Sequence, residues 1–453
     1  MLTPRIFKAN DIRGIVGPEW DVAGARAIGA AYAQLVDSPQ IVVGRDMRLT
    51  GPEIQQGFTE GVRSGGVSII DLGLTSTDQL WFASGVLGLP GVQITSSHNG
   101  WEYNGMKFCL AGAKPVTGAF LGELADRARR IDAEGAGLAS TSPGDLEHRD
   151  LLADYVHYLL SLVDLEGIRR LRVVVDAGNG MAGLTAPAVF AQINAELIGL
   201  YLDLDGAFPN HQPNPLDPAN LVAAQQAVRD TQADLAIVFD GDADRAFVID
   251  ETGAVVSPSA VTALIAVDEL ALEPGSAIVV NSITSSAVRE VVAEHGGVVV
   301  ESKVGHTYMK ALMASHHAIF GGEHSAHYYF RDFFGADTGM LAALHVIAVL
   351  GHGQRPLSEL VRDFTRYVAS GEINSTIHDQ IGAMESVAAA LGGGDVTLSW
   401  EDGLRISADD WWISLRPSNT EPLLRLNVEA REATQMAQIR DSVLSLLKEE
   451  RWG

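Results

Sequence analysis

Three aspartates at alternating positions, Asp240, Asp242 and Asp244, follow the apolar run LAIVF in the stretch LAIVFDGDADR. On an extended loop alternate residues point the same way, so their carboxylates converge. Converged carboxylates repel unless a cation lies among them. An all-oxygen set favours a hard divalent ion, Mg2+ ahead of Ca2+. The rival pattern is a twelve-residue EF-hand loop, and Glu251 falls at its last position. It fails because Arg245 stands where the sixth position needs glycine, and because an apolar strand, not a helix, comes first. A solvated acidic turn is the plainer alternative. Arg245, beside the carboxylates, suits a ligand anion or hydroxyl.

Three other loops carry usable groups. TSSHNG (95–100) follows another apolar run. Asn-Gly makes a tight turn and Ser/Thr make caps, so a structural turn and a reactive serine both fit. Adjacent Ser and His are not a triad, since neighbours on an extended chain point apart. Any activating group must come from elsewhere, and Lys107 in YNGMK could steady a phosphate or remain solvated. RPSNTEPLLR (416–425) offers Arg416, Ser418, Asn419 and Thr420, a guanidinium with hydroxyls, an amide and successive N–H groups. That set makes a phosphate cradle, and Pro417 with Asn419 would equally make an ordinary turn. In GGEHSAHYYF (321–330), Glu323 and Ser325 alternate, and a carboxylate accepts hydrogen bonds from vicinal sugar hydroxyls. His324 and His327 fit either a site or simple packing. A metal site, an anion cradle and a polyol contact together suit phosphoryl chemistry on a sugar phosphate.

These loops need rigid elements behind them. Helix-like and strand-like stretches alternate through most of the chain: a helix over 21–36, strands at 41–46 and 67–73, then GVQI before the serine loop. A small, polar stretch at 133–147 reads as a boundary, after which the rhythm restarts at LRVVVDAGNG and again at SAIVVNSITSS. Such alternation predicts α/β units with ligand loops at the carboxyl ends of strands. From TLSWEDGLRIS onward the period becomes two, which predicts an antiparallel sheet closed by a last helix. The expected organisation is three similar mixed-sheet α/β domains (1–145, 146–251, 252–365) and a C-terminal α+β domain (366–453).

A chain of 453 residues with a net charge of −25 lacks the basic footprint that nucleic acid or an anionic membrane surface needs. A single cysteine, Cys109, excludes an intrachain disulfide framework and a cysteine-based zinc site. No apolar leader or spanning stretch is visible, and a cytoplasmic protein, monomeric or dimeric, is expected.

Together the loops resemble the α-D-phosphohexomutase family. Its serine loop T-x-S-H-N-P is matched by Thr95, Ser97, His98 and Asn99, and its metal loop D-G-D-x-D-R by residues 240–245. Its sugar loop G-E-x-S-x-H is matched by Gly322, Glu323, Ser325 and His327. Its phosphate loop R-x-S-x-T-E-P is matched by Arg416, Ser418, Thr420, Glu421 and Pro422. The D-I-R-G near the start is Asp11 to Gly14, and the order of motifs is the family's along nearly the whole chain.

The resemblance implies four domains around a central cleft. It implies a phosphorylated Ser97 that completes an Mg2+ site with Asp240, Asp242 and Asp244. Arg13, His98, Lys107 and His306 would serve the transferring phosphate or act as acid and base. Arg245, Glu323 and Ser325 would hold the sugar, and His327, Arg416, Ser418, Asn419 and Thr420 the distal phosphate.

The implied reaction interconverts hexose 1- and 6-phosphates through a glucose or mannose 1,6-bisphosphate. Mannose is the expected sugar; a dual mannose/glucose mutase comes next and glucosamine phosphate after it. An Mg2+-dependent sugar phosphatase and a silent sugar-phosphate sensor are the alternatives from other classes. Gly100 departs from the motif's proline, Asn10 from a frequent tyrosine, and NSITSS lacks a lysine that some members carry.

Overall fold

The computed structural model describes residues 2–135, 142–417 and 423–448. Among them the strands form four sheets. In the first, the central strands Gln40–Arg45, Ser68–Leu74 and Gly91–Ile94 run parallel, while Tyr103–Leu110 and Ile12–Ile15 add antiparallel on one side. The second sheet pairs Leu171–Asp176 in parallel with Ala195–Leu200 and with Leu235–Phe239, and Ala246–Asp250 returns antiparallel. The third repeats the plan, with Ala277–Asn281 parallel to Val298–Ser302 and Phe320–Gly322, and Tyr328–Phe330 antiparallel. The fourth is antiparallel throughout and carries helix Ala433–Leu447. The mixed α/β reading of three domains and the α+β reading of the last are both found.

Burial explains the sequence pattern. Leu235–Phe239 and Gly91–Ile94 are buried at every position, as strands covered on both faces must be, so they read as continuous apolar runs. Helix Val22–Leu35 starts where the Asp21 side chain accepts from Gly24 N–H, and packs on helix Gly51–Ser64. The helices touch backbone to backbone: a Cβ on Gly29 would lie 2.1 Å from the Phe58 carbonyl oxygen.

Two sheets run past the expected boundaries. Leu146–His148 pairs in parallel with Ser68–Leu74, so the first sheet extends beyond residue 145. It is a short, wholly exposed edge strand with no apolar alternation to announce it. Val255–Val256 likewise extends the second sheet beyond 251.

One hydrophobic cluster runs without a break from Val42 and Trp81 in the first domain, through Val175 and Ile237 in the second, to Phe320 and Leu344 in the third. The C-terminal domain has its own cluster around Ile413, Leu426 and Val443. Among the described residues no helix is long and apolar enough to cross a membrane.

Candidate functional site

The serine loop leaves the buried strand Gly91–Ile94 and turns at once. Ser97 is fully buried and has φ 49°, a left-handed conformation that costs a non-glycine residue about 1–3 kcal/mol. Its surroundings hold it there. Ser97 N–H donates to Thr95 Oγ1 at 2.9 Å, and Thr95 Oγ1 donates to Asp46 Oδ2 at 2.7 Å.

Below the loop lies Arg48, 1% exposed. Its Nη2 donates to the carbonyls of Ser97 (2.7 Å) and Asn99 (2.8 Å), and its Nη1 to those of Gly100 (2.7 Å) and Tyr103 (2.9 Å). Nε donates to Asp46 Oδ2 at 3.1 Å. All five guanidinium N–H groups are thus used, three of them on the backbone of the serine loop and one on Tyr103, where the next strand begins.

The aspartate loop meets Ser97 from the second domain. Ser97 Oγ donates to Asp240 Oδ2 at 2.8 Å. The backbones are equally close, since a Cβ on Gly241 would sit 2.5 Å from the Ser97 carbonyl oxygen, so only glycine fits. Asp240, Asp242 and Asp244 are buried, and one oxygen from each lies within 4.8 Å of the others. Lys107 Nζ bridges two of them, 2.6 Å from Asp242 Oδ2 and 2.5 Å from Asp244 Oδ2. Thr77 Oγ1 donates to Asp242 Oδ2 at 2.5 Å.

Burial, and then the charge of Asp242, push Asp240 up to about 6 and Asp244 well above the usual carboxylate range. Burial works against the charge on Asp242 too, but Lys107 beside it wins and holds Asp242 low. Asp242 Oδ1 and Asp244 Oδ1 are buried without a hydrogen-bond partner. Two orphaned carboxylate oxygens beside Asp240 and a serine oxygen form an all-oxygen set that fits a hard divalent cation.

These groups form or underlie one wall of a cleft of about 570 Å³ to which all four domains contribute. Arg13, His98, Lys107, Asp244 and Arg245 line it, while Ser97, Asp240 and Asp242 lie just beneath. Arg13 is fixed by Asp11 Oδ2 at 2.6 Å and by Asn99 Oδ1 at 2.7 Å. Burial, then the charges of Arg245 and Arg13, hold His98 well below the ordinary histidine range.

The third domain supplies His306, Glu323, Ser325 and His327. Glu323, 2% exposed, accepts from Tyr329 OH (2.7 Å), Asn281 Nδ2 (3.2 Å) and Gly305 N–H (3.2 Å), so its place is set from three directions. Burial raises its pKa. Ser325 Oγ and His327 Nδ1 are 3.0 Å apart, and Arg245 Nε donates to His327 Nε2 at 3.1 Å, which ties the aspartate loop to the Glu323–His327 loop. Burial, then the charge of Lys310, lower His306 to about 4, leaving it neutral near pH 7. His324 turns away from this cleft to Ser259 Oγ, 3.1 Å from its Nδ1.

The fourth domain brings Arg416. Ser418, Asn419 and Thr420 lie outside the described residues.

Sequence reading missed several contributors. Asp46, Arg48 and Thr77 support the loops from below, and nothing in a sequence marks a buried charge that hydrogen-bonds a distant backbone. Asp337, 2% exposed and 2.7 Å from Lys310 Nζ, lines the cleft, as does Arg425. Arg425 had a legible signal, because it alternates with apolar Leu424 and Leu426 on a half-buried strand.

Comparison with known proteins matches each domain in turn. Models of the phosphoglucomutase/phosphomannomutase α/β/α domains I, II and III match residues 4–134, 153–253 and 257–367, and that of the C-terminal domain matches 372–446. A relative named "Phosphohexose mutases" from Xanthomonas campestris pv. campestris is 38% identical over 98% of this chain and 99% of its own. A "Phosphomannomutase" of Escherichia coli K12 is 37% identical over 98% of this chain and 99% of its own. A crystal structure of a phosphoglucomutase/phosphomannomutase family protein from Burkholderia thailandensis superposes with a TM-score of 0.91 at 32% identity, covering 100% of this chain and 99% of that one.

Proposed function

The chain belongs to the phosphoglucomutase/phosphomannomutase family of phosphohexomutase isomerases, and from that premise we propose that it interconverts mannose 1-phosphate and mannose 6-phosphate through a phosphorylated Ser97. The observation that carries this is the juxtaposition of Ser97 Oγ with Asp240, 2.8 Å away, in an oxygen cluster at one wall of a cleft whose other walls carry Glu323, Ser325 and Arg416.

Phosphorylated Ser97 gives its phosphoryl group to the free hydroxyl of a hexose monophosphate. The O–P bond to Ser97 breaks as the bond to the sugar forms, leaving a 1,6-bisphosphate and free Ser97. The sugar reverses in the cleft, and its other phosphate returns to Ser97. One transfer apparatus and one separate holding site require that reversal.

Asp240, Asp242 and Asp244, with the Ser97 phosphate, would hold Mg2+, which when bound offsets charge on the phosphoryl group. Arg13 and Lys107 steady the transferring phosphate, with His98 beside the serine. His306 lines the cleft and is neutral near pH 7, so it can accept the hydroxyl proton. Glu323 and Ser325 accept and donate to sugar hydroxyls, Arg245 aids them, and His327 with the 416–420 loop holds the distal phosphate. A supply of mannose 1-phosphate for GDP-mannose is the role this activity would serve.

A dual mannose/glucose mutase is the second reading, favoured by the broader name of the Xanthomonas relative. Phosphorus NMR with Mg2+ and a trace of hexose 1,6-bisphosphate separates the two, with mannose 1-phosphate and glucose 1-phosphate in separate tubes. Much faster 6-phosphate formation from mannose supports the first reading, and comparable rates support the second. Inorganic phosphate without isomer overturns both in favour of a phosphatase.

A further inference from the structure

Each aspartate of the aspartate loop has two carboxylate oxygens, and they are not used alike. Asp240 Oδ2 accepts from Ser97 Oγ at 2.8 Å, and its Oδ1 from Arg245 N–H at 3.3 Å. Asp242 Oδ2 accepts twice, from Thr77 Oγ1 at 2.5 Å and from Lys107 Nζ at 2.6 Å. Asp244 Oδ2 accepts from Lys107 Nζ at 2.5 Å. Asp242 Oδ1 and Asp244 Oδ1 are buried without a partner.

The torsion that turns an aspartate carboxylate is soft and nearly two-fold, so on its own the group exchanges its oxygens readily. Thr77 removes that freedom from Asp242. It is buried and is the first residue of helix Thr77–Leu87 in the first domain. Its N–H, one of the donors that a helix start leaves without an intrahelical partner, goes to the Asp242 carbonyl at 3.0 Å, while its hydroxyl takes Oδ2. One residue thus grips both the main chain and the side chain of an aspartate in another domain. The turn that carries it is itself fixed, because Ser76 caps the helix and accepts from Gln79 N–H at 3.3 Å.

A carboxylate with one oxygen committed to a hydroxyl and an ammonium offers a cation only the other oxygen. Mg2+ asks for no more: it is small, takes near-octahedral geometry at about 2.0–2.1 Å and fills its shell with water. Ca2+ takes about six to eight oxygens, often two from one carboxylate. We infer that Thr77 is a positioning residue for metal choice: by holding Asp242 Oδ2 together with Lys107 it limits Asp242 to a one-oxygen contact, and so favours Mg2+ over Ca2+. This rests on the divalent-cation reading of the three aspartates and adds to it the residue that sets which ion they take.

The test is calorimetric titration of the full chain with Mg2+ and, separately, with Ca2+, on wild type, Thr77→Val, Thr77→Ser and Lys107→Met, each checked for folding by circular dichroism. Thr77→Val keeps the branched shape and removes the hydroxyl. It should weaken Mg2+ about ten-fold, as loss of an outer partner of a metal ligand does. Ca2+ should change by about three-fold or less, because a loosened Oδ2 can turn to serve it. Thr77→Ser keeps the hydroxyl and should hold both ions within about two-fold of wild type. Lys107→Met removes a positive charge and releases an oxygen on two aspartates, so both ions should bind more tightly, Ca2+ by the larger factor. The preference for Mg2+ therefore narrows in both variants while the affinities move in opposite directions.

If Thr77→Val weakens Mg2+ and Ca2+ by the same factor, Thr77 is a prop for the loop and the inference is overturned. An unchanged Mg2+ to Ca2+ ratio in Lys107→Met overturns it too, and decides the matter if Thr77→Val does not fold. A wild type that binds both ions equally removes the inference and leaves the cation site standing. A wild type that binds neither sinks the divalent-cation reading itself.

Discussion

The two ends of the cleft are built on opposite plans. At the Ser97 end the groups are buried, close-packed and saturated: Arg48 spends every N–H, Gly241 admits no side chain, and one hydrophobic cluster binds three domains behind them. At the Arg416 end the groups are partly exposed and, among the described residues, under-bonded, on a domain with its own core.

That domain meets the third domain through polar contacts. Ser282 Oγ donates to Asp402 at 2.7 Å, Val304 N–H to the same carboxylate at 3.0 Å, and Ser285 Oγ and Ser286 N–H to Glu429 at 2.9 and 3.0 Å. Polar contacts of this kind exchange with water more readily than a shared core does. For the proposed reaction the difference is a division of labour: phosphoryl transfer would need fixed geometry, whereas a substrate that turns around would need a wall that can let go. On this reading the C-terminal domain closes on substrate, and a solution-scattering profile unmoved by mannose 6-phosphate or bisphosphate would count against it.

The sharpest way to split the two ends is Ser97→Ala. Turnover should fall by at least about 10³-fold, as expected when a nucleophile is removed, while calorimetry finds mannose 6-phosphate binding within about three-fold of wild type. Loss of binding would mean that the ends are not separable.

Next is Arg48→Lys, which keeps the charge but offers three donors for five acceptors. We expect kcat to drop about 100-fold with KM nearly unchanged, because hydrogen bonds to a charged group are worth about 1.5–3 kcal/mol each. A rise in KM with kcat intact would show that Arg48 serves the substrate-holding end instead.

A third prediction concerns the weld behind the rigid end. Asp78 accepts from Tyr155 OH and Thr338 Oγ1, both at 2.7 Å, and so ties one domain to the next two. Burial lifts its pKa to about 6. The folded state therefore holds this proton more tightly than the unfolded chain does. The cost of ionising Asp78 grows as pH rises from about 4 to 6 and is fully present above that. Urea unfolding of wild type against Asp78→Asn should show wild type gaining on the order of 2–3 kcal/mol relative to the variant between pH 7.5 and pH 4. A pH-independent difference would remove Asp78 from the account.

The smallest effect belongs to the loose end. Ser285→Ala removes a hydrogen bond to Glu429 and the N-cap bond from Ala287 N–H, and should cost about 1–2 kcal/mol in urea unfolding, yet shift the scattering profile toward the open form. A stability loss several times larger would mean that the joint is as tightly built as the serine loop.

The same contrast governs what was legible in the sequence. Asp240, Asp242 and Asp244 could be read because chemistry, spacing and a preceding apolar strand all pointed one way. Glu323 and Ser325 followed by the same period-two argument. The left-handed turn at Ser97 and its contact with Asp240, 143 residues away, could not be read, since both depend on how two domains meet. Arg48 and Asp46 were invisible for the same reason: a charged pair in a polar stretch reads as surface, and only tertiary packing buries it. The strand Leu146–His148 had too few residues and no apolar alternation. Resemblance supplied Ser97 where residue chemistry alone left a turn equally open.

The continuous core has a consequence for how the chain is made and taken apart. Because one shared apolar cluster joins them, besides the first domain's own, the first three domains should melt together, whereas the last, with a cluster of its own, can come apart by itself. A polypeptide severed near residue 366 would then leave two pieces of unequal character. The shorter should fold unaided, and the longer should keep Ser97 and the three aspartates but lie open along the side that the C-terminal domain covers.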